Sequence, residues 1–415
     1  MSNTTDLIAS NKAADDLRKI ENADILIGMP SYNNVTTANY VVSQIVSGLE
    51  KYFPDFKSVI FVSDGGSGDG TLNSVKQISI KPSNIKIIPT IYIGASGKGS
   101  AVHAIFEAAN YLRVKSLALV DSDLRSVTPE WINLLITPVM NGTDFVAPLY
   151  NRRKYDGTIT NFLSYPVTTA LYGKNIRQPI GGDFGLSVKL VKDLLASPMW
   201  DYPYVDRFGI DIFETQTALA KGYKIKEASL GIKQHDAKDP SSQLIGMFRQ
   251  VVGTMFTCID IYQDVWKKIT GFTETEKFGE EKYDNVPENI EVSLTSTINA
   301  FKSNYDNYTP LYRSVLSKEI QTRFERLKNL EATDVDLTSE IWATTVYAFI
   351  KEFPKEQKDP RSALLLIDAL RILWIGRVAA FMKDTWKDER DKAEEKVRDE
   401  AKVFVKMKPL LVETY

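Results

Sequence analysis

The sequence predicts an α/β protein in which a mainly parallel sheet is followed by a helical C-terminal region. From Asp24 onward, short apolar runs alternate with stretches of helical spacing. A polar or glycine-rich loop closes the carboxyl end of each early run, and beyond about Lys268 the chain reads as helices separated by polar linkers. These observations divide the 415 residues into an N-terminal helical lead over 1–23, an α/β domain over 24–270 and a helical region over 271–415.

In order, a short helix is expected through Asp15–Ile20, then a buried strand over Asp24–Met29 that ends at Pro30-Ser-Tyr-Asn-Asn34. Helical spacing runs from Val35 to Tyr52, and a second strand over Ser58–Ser63 ends in Asp64-Gly-Gly-Ser-Gly-Asp-Gly70. After another helix, a strand over Ile85–Ile93 meets Gly94-Ala-Ser-Gly-Lys-Gly99, and a helix covers Ser100–Leu112. The run Ser116–Val120 closes on Asp121-Ser-Asp123. Repeated strand-helix alternation puts binding loops at the carboxyl ends of parallel strands, which is where all of these loops fall. A strand at Asp144–Pro148, the basic loop Arg152-Arg-Lys154, a helix over Thr158–Tyr172 and the turn Gly181-Gly-Asp183 follow. A helix from Asp211 to Lys221, a strand from Lys224 to Leu230 and Gln234-His-Asp236 complete this half. Polar linkers are expected at Thr273–Glu288 and Glu352–Asp359, and Lys387–Lys402 reads as a solvated helix face.

Composition narrows the function. Hydrophobic residues at 43% and charged residues at 25% suit a globular protein with a sizeable core, and a net charge of −2 offers nothing to nucleic acid or an anionic membrane. The single cysteine, Cys258, reads as a small buried hydrophobe, and cytoplasm is the expected compartment. The N-terminus lacks a signal-peptide pattern; Ala363–Met382 carries Asp368, Arg371 and Arg377 and reads as a buried helix, with no membrane span expected.

Asp121-Ser-Asp123 is the most informative motif. A strand ending in two acidic residues separated by one can present carboxylate oxygens to a divalent cation held against a diphosphate, the arrangement of a sugar-nucleotide enzyme. Asp334-Val-Asp336 has no strand before it and reads as helix-flanking charge. Lys98 stands between glycines just before a helix, where amides, dipole and ammonium could converge on a diphosphate, although the spacing is not a P-loop and a tight turn is the plain alternative. Asp64 is expected to contact the nucleotide and Asp69 to cap a helix, with an Asx turn the alternative for Asp64. Asp183, held by Gly181-Gly182, suits sugar hydroxyls; Asp211 caps a helix or reaches the sugar or acceptor. Arg152, Arg153, Lys154 and Arg177 could bind a small anionic acceptor. Of the two histidines, His103 reads as structural, and His235 is either a ligand for Mg²⁺ or Mn²⁺ or a surface residue.

Pro30-Ser-Tyr-Asn-Asn34, Ser63-Asp-Gly-Gly-Ser67, Gly97-Lys-Gly99, Asp121-Ser-Asp123, Gly181-Gly-Asp183, Gly209-Ile-Asp211 and His235 occur in an order that resembles the retaining GT-A glycosyltransferases, and among them family 81, the glucosylglycerate and glucosyl-3-phosphoglycerate synthases, with mannosylglycerate synthases nearby. The likeness covers roughly Asp24 to Tyr262. It implies a Rossmann-like GT-A domain, with Asp123 and His235 binding Mg²⁺ or Mn²⁺. Pro30, Tyr32, Asn34, Asp64, Asp121 and Ser122 would serve the donor, with Lys98 at its diphosphate. Asp183 and Asp211, with Lys98, would carry the catalytic work, and Arg153, Lys154, Gly157, Thr158 and Arg177 would bind the acceptor. Partners would be a UDP- or GDP-linked hexose and D-glycerate or 3-phosphoglycerate, with a homodimer left open. The phosphoglycerate enzymes carry a Gly-Arg-Val-Thr-Glu-type acceptor loop where this chain has Tyr155-Asp-Gly-Thr158, so unphosphorylated glycerate is an equal expectation. A family 2 transferase with another acceptor is an alternative that lacks its Gln-x-x-Arg-Trp signature here; a nucleotidyltransferase and a sugar-nucleotide-binding scaffold are the others.

Overall fold

The structure, a computed structural model, describes residues 11–234, 244–281 and 292–415. The first elements are α1 (Asn11–Ile20), β1 (Ile25–Ser31), α2 (Ala38–Tyr52), β2 (Ser58–Asp64), α3 (Thr71–Lys76), β3 (Ile85–Ile91), α4 (Lys98–Tyr111) and β4 (Ser116–Leu119). Next come α5 (Pro129–Met140), β5 (Phe145–Asn151), α6 (Tyr165–Tyr172), β6 (Lys174–Asn175), β7 (Gly185–Ser187), α7 (Val188–Leu195), α8 (Ile210–Ala220) and β8 (Ile225–Ile232). The remainder is α9 (Ile245–Ile261), α10 (Gln263–Trp266), β9 (Thr273–Glu274), β10 (Glu276–Phe278), α11 (Leu294–Tyr305), α12 (Thr309–Val315), α13 (Lys318–Asn329), α14 (Ser339–Glu356), α15 (Pro360–Thr385) and α16 (Arg390–Val412). The chain forms two compact units: Met1–Asn151 with Ile180–Asp236 and Thr275–Asp284, and Arg152–Pro179 with Ala237–Glu274 and Asn285–Tyr415. This partition differs from a linear cut at 270, because two stretches from the middle of the chain gather with the C-terminal helices.

The first unit holds an eight-stranded sheet in the order β10-β8-β5-β7-β4-β1-β2-β3. Only β7 runs antiparallel to its neighbours, so the expected mainly parallel sheet is present. Strands β1, β2 and β4 are buried along their whole length, as expected of strands covered on both faces. On one face Ile27, Met29 and Ile60 pack with Val41 and Ile45 of α2 and Ile132 and Leu135 of α5. On the other, Gly28 faces α4, where a Cβ would lie 2.3 Å from Ile105 Cγ2. Thr273–Glu288, expected as a linker, supplies the edge strand β10; a three-residue strand is too short to show an alternating pattern.

The second unit is mostly helical, with α11 against α15, α16 against α6 and α14, and α9 against α15. The expected helix over Thr158–Tyr172 opens as a π-helical turn at Thr160–Ser164 before α6. Pro166 has no amide hydrogen to donate back into the preceding turn, which accounts for the irregular start. Helix α15 is buried nearly all round, and the charges inside it are matched: Asp368 accepts from Arg249 Nε and Nη2 at 2.7 Å each, and Arg377 pairs with Glu400. Helix α16, expected as a solvated face, buries the stripe Ala393, Val397, Glu400, Ala401 and Phe404 while its other side stays in water. Cys258 is buried in α9, and burial pushes its thiol up. Among the described residues, no helix is long and apolar enough to cross a membrane.

Candidate active site

The candidate site residues of the first unit collect along one edge of its sheet, at the carboxyl ends of the parallel strands. Asp121 follows β4, Lys233 follows β8, and Tyr150 lies near the end of β5. Because β7 is antiparallel, Asp183, which precedes it, reaches the same edge. Lys98 opens α4 and Asp211 lies in the first turn of α8.

These side chains form an alternating chain of charge. Lys233 Nζ donates to Asp183 Oδ2 at 2.8 Å, to Asp121 Oδ2 at 2.9 Å and to the carbonyl of Gly181 at 2.8 Å. Lys98 Nζ lies 2.9 Å from Asp121 Oδ1 and 3.0 Å from Asp211 Oδ1. Asp183 also accepts from the amide of Asp121 at 2.8 Å and from the Tyr150 hydroxyl. Gly182, at φ +85°, passes so close that a Cβ there would sit 2.6 Å from Asp121 Oδ2 and 2.8 Å from Lys98 Nζ. That position therefore requires glycine on both conformational and steric grounds.

Burial and pairing compete at each member. Burial opposes charge on Asp121, but Lys233 and Lys98 outweigh it and hold the carboxyl well below the usual range. Burial likewise works against the Lys98 ammonium, and Asp121 and then Asp211 keep it well above the ordinary lysine value. Burial pushes Asp183 and Asp211 up; Lys233 pulls the former back, Lys98 the latter, and the Asp121 charge adds to both rises. Glu214, one turn beyond Asp211, is wholly buried, and neither carboxyl oxygen has a partner among the described residues.

The loops expected to bind the donor are tied together. Asp64 is fully buried and its oxygens are saturated: Oδ1 accepts from the amides of Gly66 and Ser67, and Oδ2 from the hydroxyls of Ser31 and Ser67. The Asp64 carboxylate, expected to contact the nucleotide, makes the Asx-type turn given as its alternative, which shapes the loop. Asp69 accepts from Thr71 and from the amide of Val35, joining this loop to the one after β1. Asn34 Oδ1 accepts from the Tyr32 amide and the Ser122 hydroxyl, so Asn34 and Ser122 brace each other across the sheet edge. Pro30 is buried at the end of β1, whereas Tyr32 is 61% exposed.

The glycine-lysine turn departs from expectation in its backbone. The amides of Gly99 and Ser100 donate to the carbonyls of Arg207 and Asp206, and that of Gly97 donates to the Tyr92 hydroxyl. A Cβ at Gly99 would lie 1.8 Å from the Val205 carbonyl oxygen. The glycines thus admit the 205–207 loop, whose carbonyls take the Gly99 and Ser100 amides, and the Lys98 ammonium faces the acidic cluster. His103, on α4, packs edge-on against Trp200 at 4.5 Å, a structural role.

Asp123 is exposed, and His235 lies outside the described residues. Among the described residues no group of three or more His, Cys, Asp or Glu side chains could hold a metal ion. Gln234, immediately before His235, accepts at its carbonyl from the amide of Arg125 and donates its own amide to Ser126 Oγ. This ties the tail of β8 to the loop that carries Asp123. Carboxylate oxygen with imidazole nitrogen is, by its chemistry, a donor set that suits Mg²⁺ or Mn²⁺.

The residues expected to meet the acceptor belong to the second unit. Lys154 Nζ donates to the carbonyls of Thr385 and Asp388 at 2.9 Å and of Trp386 at 3.4 Å, which occupies its three hydrogens at the end of α15. Arg177 is buried and makes a two-point contact with Glu394 and a bond to Asn161 Oδ1, all at 2.8 Å. Neither side chain is held ready for an anion here, because each charge already has a protein partner. Gly157 takes φ +67°, Thr158 is buried, and Arg153 is half-buried with its carbonyl accepting from the amide of Asp156.

Lys233, Tyr150 and Glu214 join this cluster without a motif in the sequence to mark them. Lys233 lies 112 residues from Asp121, too far for any local pattern to join them. A lysine or a tyrosine at the end of a strand is ordinary, but a glutamate within the nonpolar and hydroxyl-rich run Ile210–Ala220 was a signal available in the sequence.

Residues 26–194 match the model of glycosyl transferase family 2. No curated protein matches the sequence significantly. Among solved structures, the chain is similar to glucosyl-3-phosphoglycerate synthase from Mycobacterium tuberculosis in complex with phosphoglyceric acid, at 20% identity and TM-score 0.45, over 58% of this chain and 83% of that one. The same enzyme with Mn²⁺, UDP-glucose and phosphoglyceric acid gives 21% identity and TM-score 0.45 over 59% and 84%, and with Mg²⁺ and UDP 21% and 0.45 over 58% and 83%. The segment that matches the family model, residues 26–194, contains β2 through β5 and most of β1, with Lys98, Asp121 and Asp183.

Proposed function

We propose that this protein transfers a hexose, glucose, from a nucleoside diphosphate to the 2-hydroxyl of D-glycerate or 3-phosphoglycerate, with retention at the anomeric carbon. The observation that carries this reading is the Asp121 carboxylate shared between the Lys98 and Lys233 ammoniums at the sheet edge. Two cations held by exchangeable carboxylates can turn to a diphosphate, neutralising the charge that builds on the leaving group. The sugar and the acceptor identities rest on the motif order described above.

Lys98 would bind the diphosphate, while Asp183 and Asp211 would orient sugar hydroxyls or the attacking acceptor. Tyr32 would cover the nucleoside, with Pro30, Asn34 and Ser122 fixing the loop beneath it. Asp123 and His235 would hold Mg²⁺ or Mn²⁺, which when bound supplies Lewis-acid neutralisation of the diphosphate. Retention follows if the acceptor attacks the face from which the phosphate departs, the phosphate oxygen taking the hydroxyl proton. Arg153, Gly157 and Thr158 would serve the acceptor's anionic group, whereas Lys154 and Arg177 already hold protein partners.

The test is a product assay by mass spectrometry and NMR that pairs UDP- and GDP-linked glucose or mannose with D-glycerate or 3-phosphoglycerate, in Mg²⁺, Mn²⁺ or chelator. The expected product is an α-glucosyl glycerate formed only with metal. A β-linked product would overturn retention and make Asp211 the candidate base; UDP binding without transfer to either acceptor would overturn the substrate assignment.

A further inference from the structure

The first unit contains a buried acid that the proposed reaction does not use. Glu214 is 0% exposed, and neither carboxyl oxygen has a hydrogen-bond partner among the described residues. It follows Asp211 by three positions on α8, which places the two acids on one face of the helix, a turn apart. A carboxylate in that position would be a buried charge with no counter-ion of its own, the most costly state for such a group; a proton removes the charge and leaves an O–H donor.

The surroundings support a neutral acid. Helix α8 packs against α4, α7 and β5. From α4 the charged group that acts on Glu214 is Lys98, already shared between Asp121 and Asp211. On α7 the buried residues are Leu190, Val191 and Leu194, while Lys189 and Lys192 are exposed. From β5 the titratable group is Tyr150, whose hydroxyl is given to Asp183. Beyond these, the Asp211 and Asp121 charges both act to keep a proton on Glu214, and burial acts in the same direction and more strongly.

We propose that Glu214 is carried as a neutral carboxylic acid and is a positioning residue for Asp211, its O–H becoming the partner of Asp211 when Lys98 is drawn to the diphosphate of the donor. The second half of this statement rests on the function proposed above. Among the described residues, Lys98 is the lysine bound to Asp211. When it leaves, a buried carboxylate loses its cation, and a donor one turn away keeps it ionised and in place. No bond to carbon is made or broken in this step; a proton already on Glu214 is shared with Asp211.

Infrared difference spectroscopy on the full chain separates the two halves. The spectrum of wild type minus E214Q at neutral pH is expected to show the C=O stretch of a protonated carboxyl; carboxylate bands alone would overturn the proposal. Titration with UDP and Mg²⁺, followed in parallel by calorimetry, should shift that band as the O–H engages Asp211. Binding without a shift overturns the coupling. If calorimetry shows no UDP binding, the donor reading fails and the coupling with it, while the protonated band still stands or falls by the first spectrum. In turnover, E214L is expected to lower kcat about tenfold with little change in donor KM, and E214Q, which restores an N–H donor in the same shape, to recover most of that loss. Equal loss in both variants would overturn the positioning role, and E214Q keeps the test open if E214L fails to fold.

Discussion

The two units of this protein handle buried charge in opposite ways. In the second, the buried cations Arg377 and Lys408 are consumed by fixed partners: Arg377 by Glu400, the Leu337 carbonyl and Ser339, and Lys408 by the carbonyls of Leu171, Trp266 and Ile269. In the first, two lysines are spread over three aspartates, with Asp121 shared by both. A closed pair can only stabilise. A shared one can release a cation to an incoming anion and keep its carboxylates partnered, which is the property a diphosphate site needs.

The largest effect is expected outside the shared cluster, at Asp123. Replacing it by alanine should abolish metal-dependent turnover, a loss on the order of a thousandfold, with the melting temperature unchanged; wild-type activity would remove Asp123 from the site. The next test breaks one cation in each unit. Lys233→Met should cut turnover about a hundredfold, whereas Arg377→Met, which strands buried Glu400, should cost roughly 3–5 kcal/mol of stability and leave the kcat of the folded enzyme intact. A fall in kcat for Arg377→Met without destabilisation would erase the contrast.

Gly182→Ala sharpens it further. The added methyl must displace Asp121 or Lys98, so turnover should drop by roughly tenfold through donor affinity and rate together. A variant with normal kinetics and normal UDP affinity would mean that the cluster is not where the donor binds.

The smallest effect concerns pH. In the second unit burial pushes Glu394 up, but Arg177 and then Arg398 pull it below its ordinary value of 4.5. A depressed carboxyl stabilises the fold above that ordinary value, and the contribution disappears as pH falls through the lower folded value. Glu394→Gln should therefore melt at a lower temperature than wild type near neutrality, with the gap closing as the solution is acidified. In the shared cluster Asp121 is lowered while Asp183 and Asp211 are raised, so their contributions run in opposite directions and the acid response there should be flatter. A pH-independent gap for Glu394→Gln would remove the pairing argument for that unit.

Much of the first unit was legible from sequence because its signals are local. Apolar runs followed by helical spacing marked β1 to β4 in their true order, and Asp121, Asp183, Asp211 and Lys98 stood out at loop positions that do converge. What was not legible depends on distance along the chain. Asp64 looked like a ligand because its partner hydroxyl, Ser31, is 33 residues away. The glycines flanking Lys98 looked like an anion nest because the loop they admit lies more than 100 residues later. The second unit draws residues 152–179 to the C-terminal helices through contacts such as Arg177 with Glu394, 217 residues apart, which no window of sequence exposes.

The saturated carboxylate of Asp64 has a consequence for how a nucleotide is met. Four hydrogen bonds hold the segment from Gly65 to Ser67 in one shape before any ligand arrives, and ordering a backbone residue costs about 1–2 kcal/mol of conformational entropy. That entropy is surrendered when the chain folds. If a nucleoside binds at this end of the sheet, as proposed, it would meet a preorganised loop, and its contacts would translate into affinity undiminished by loop ordering.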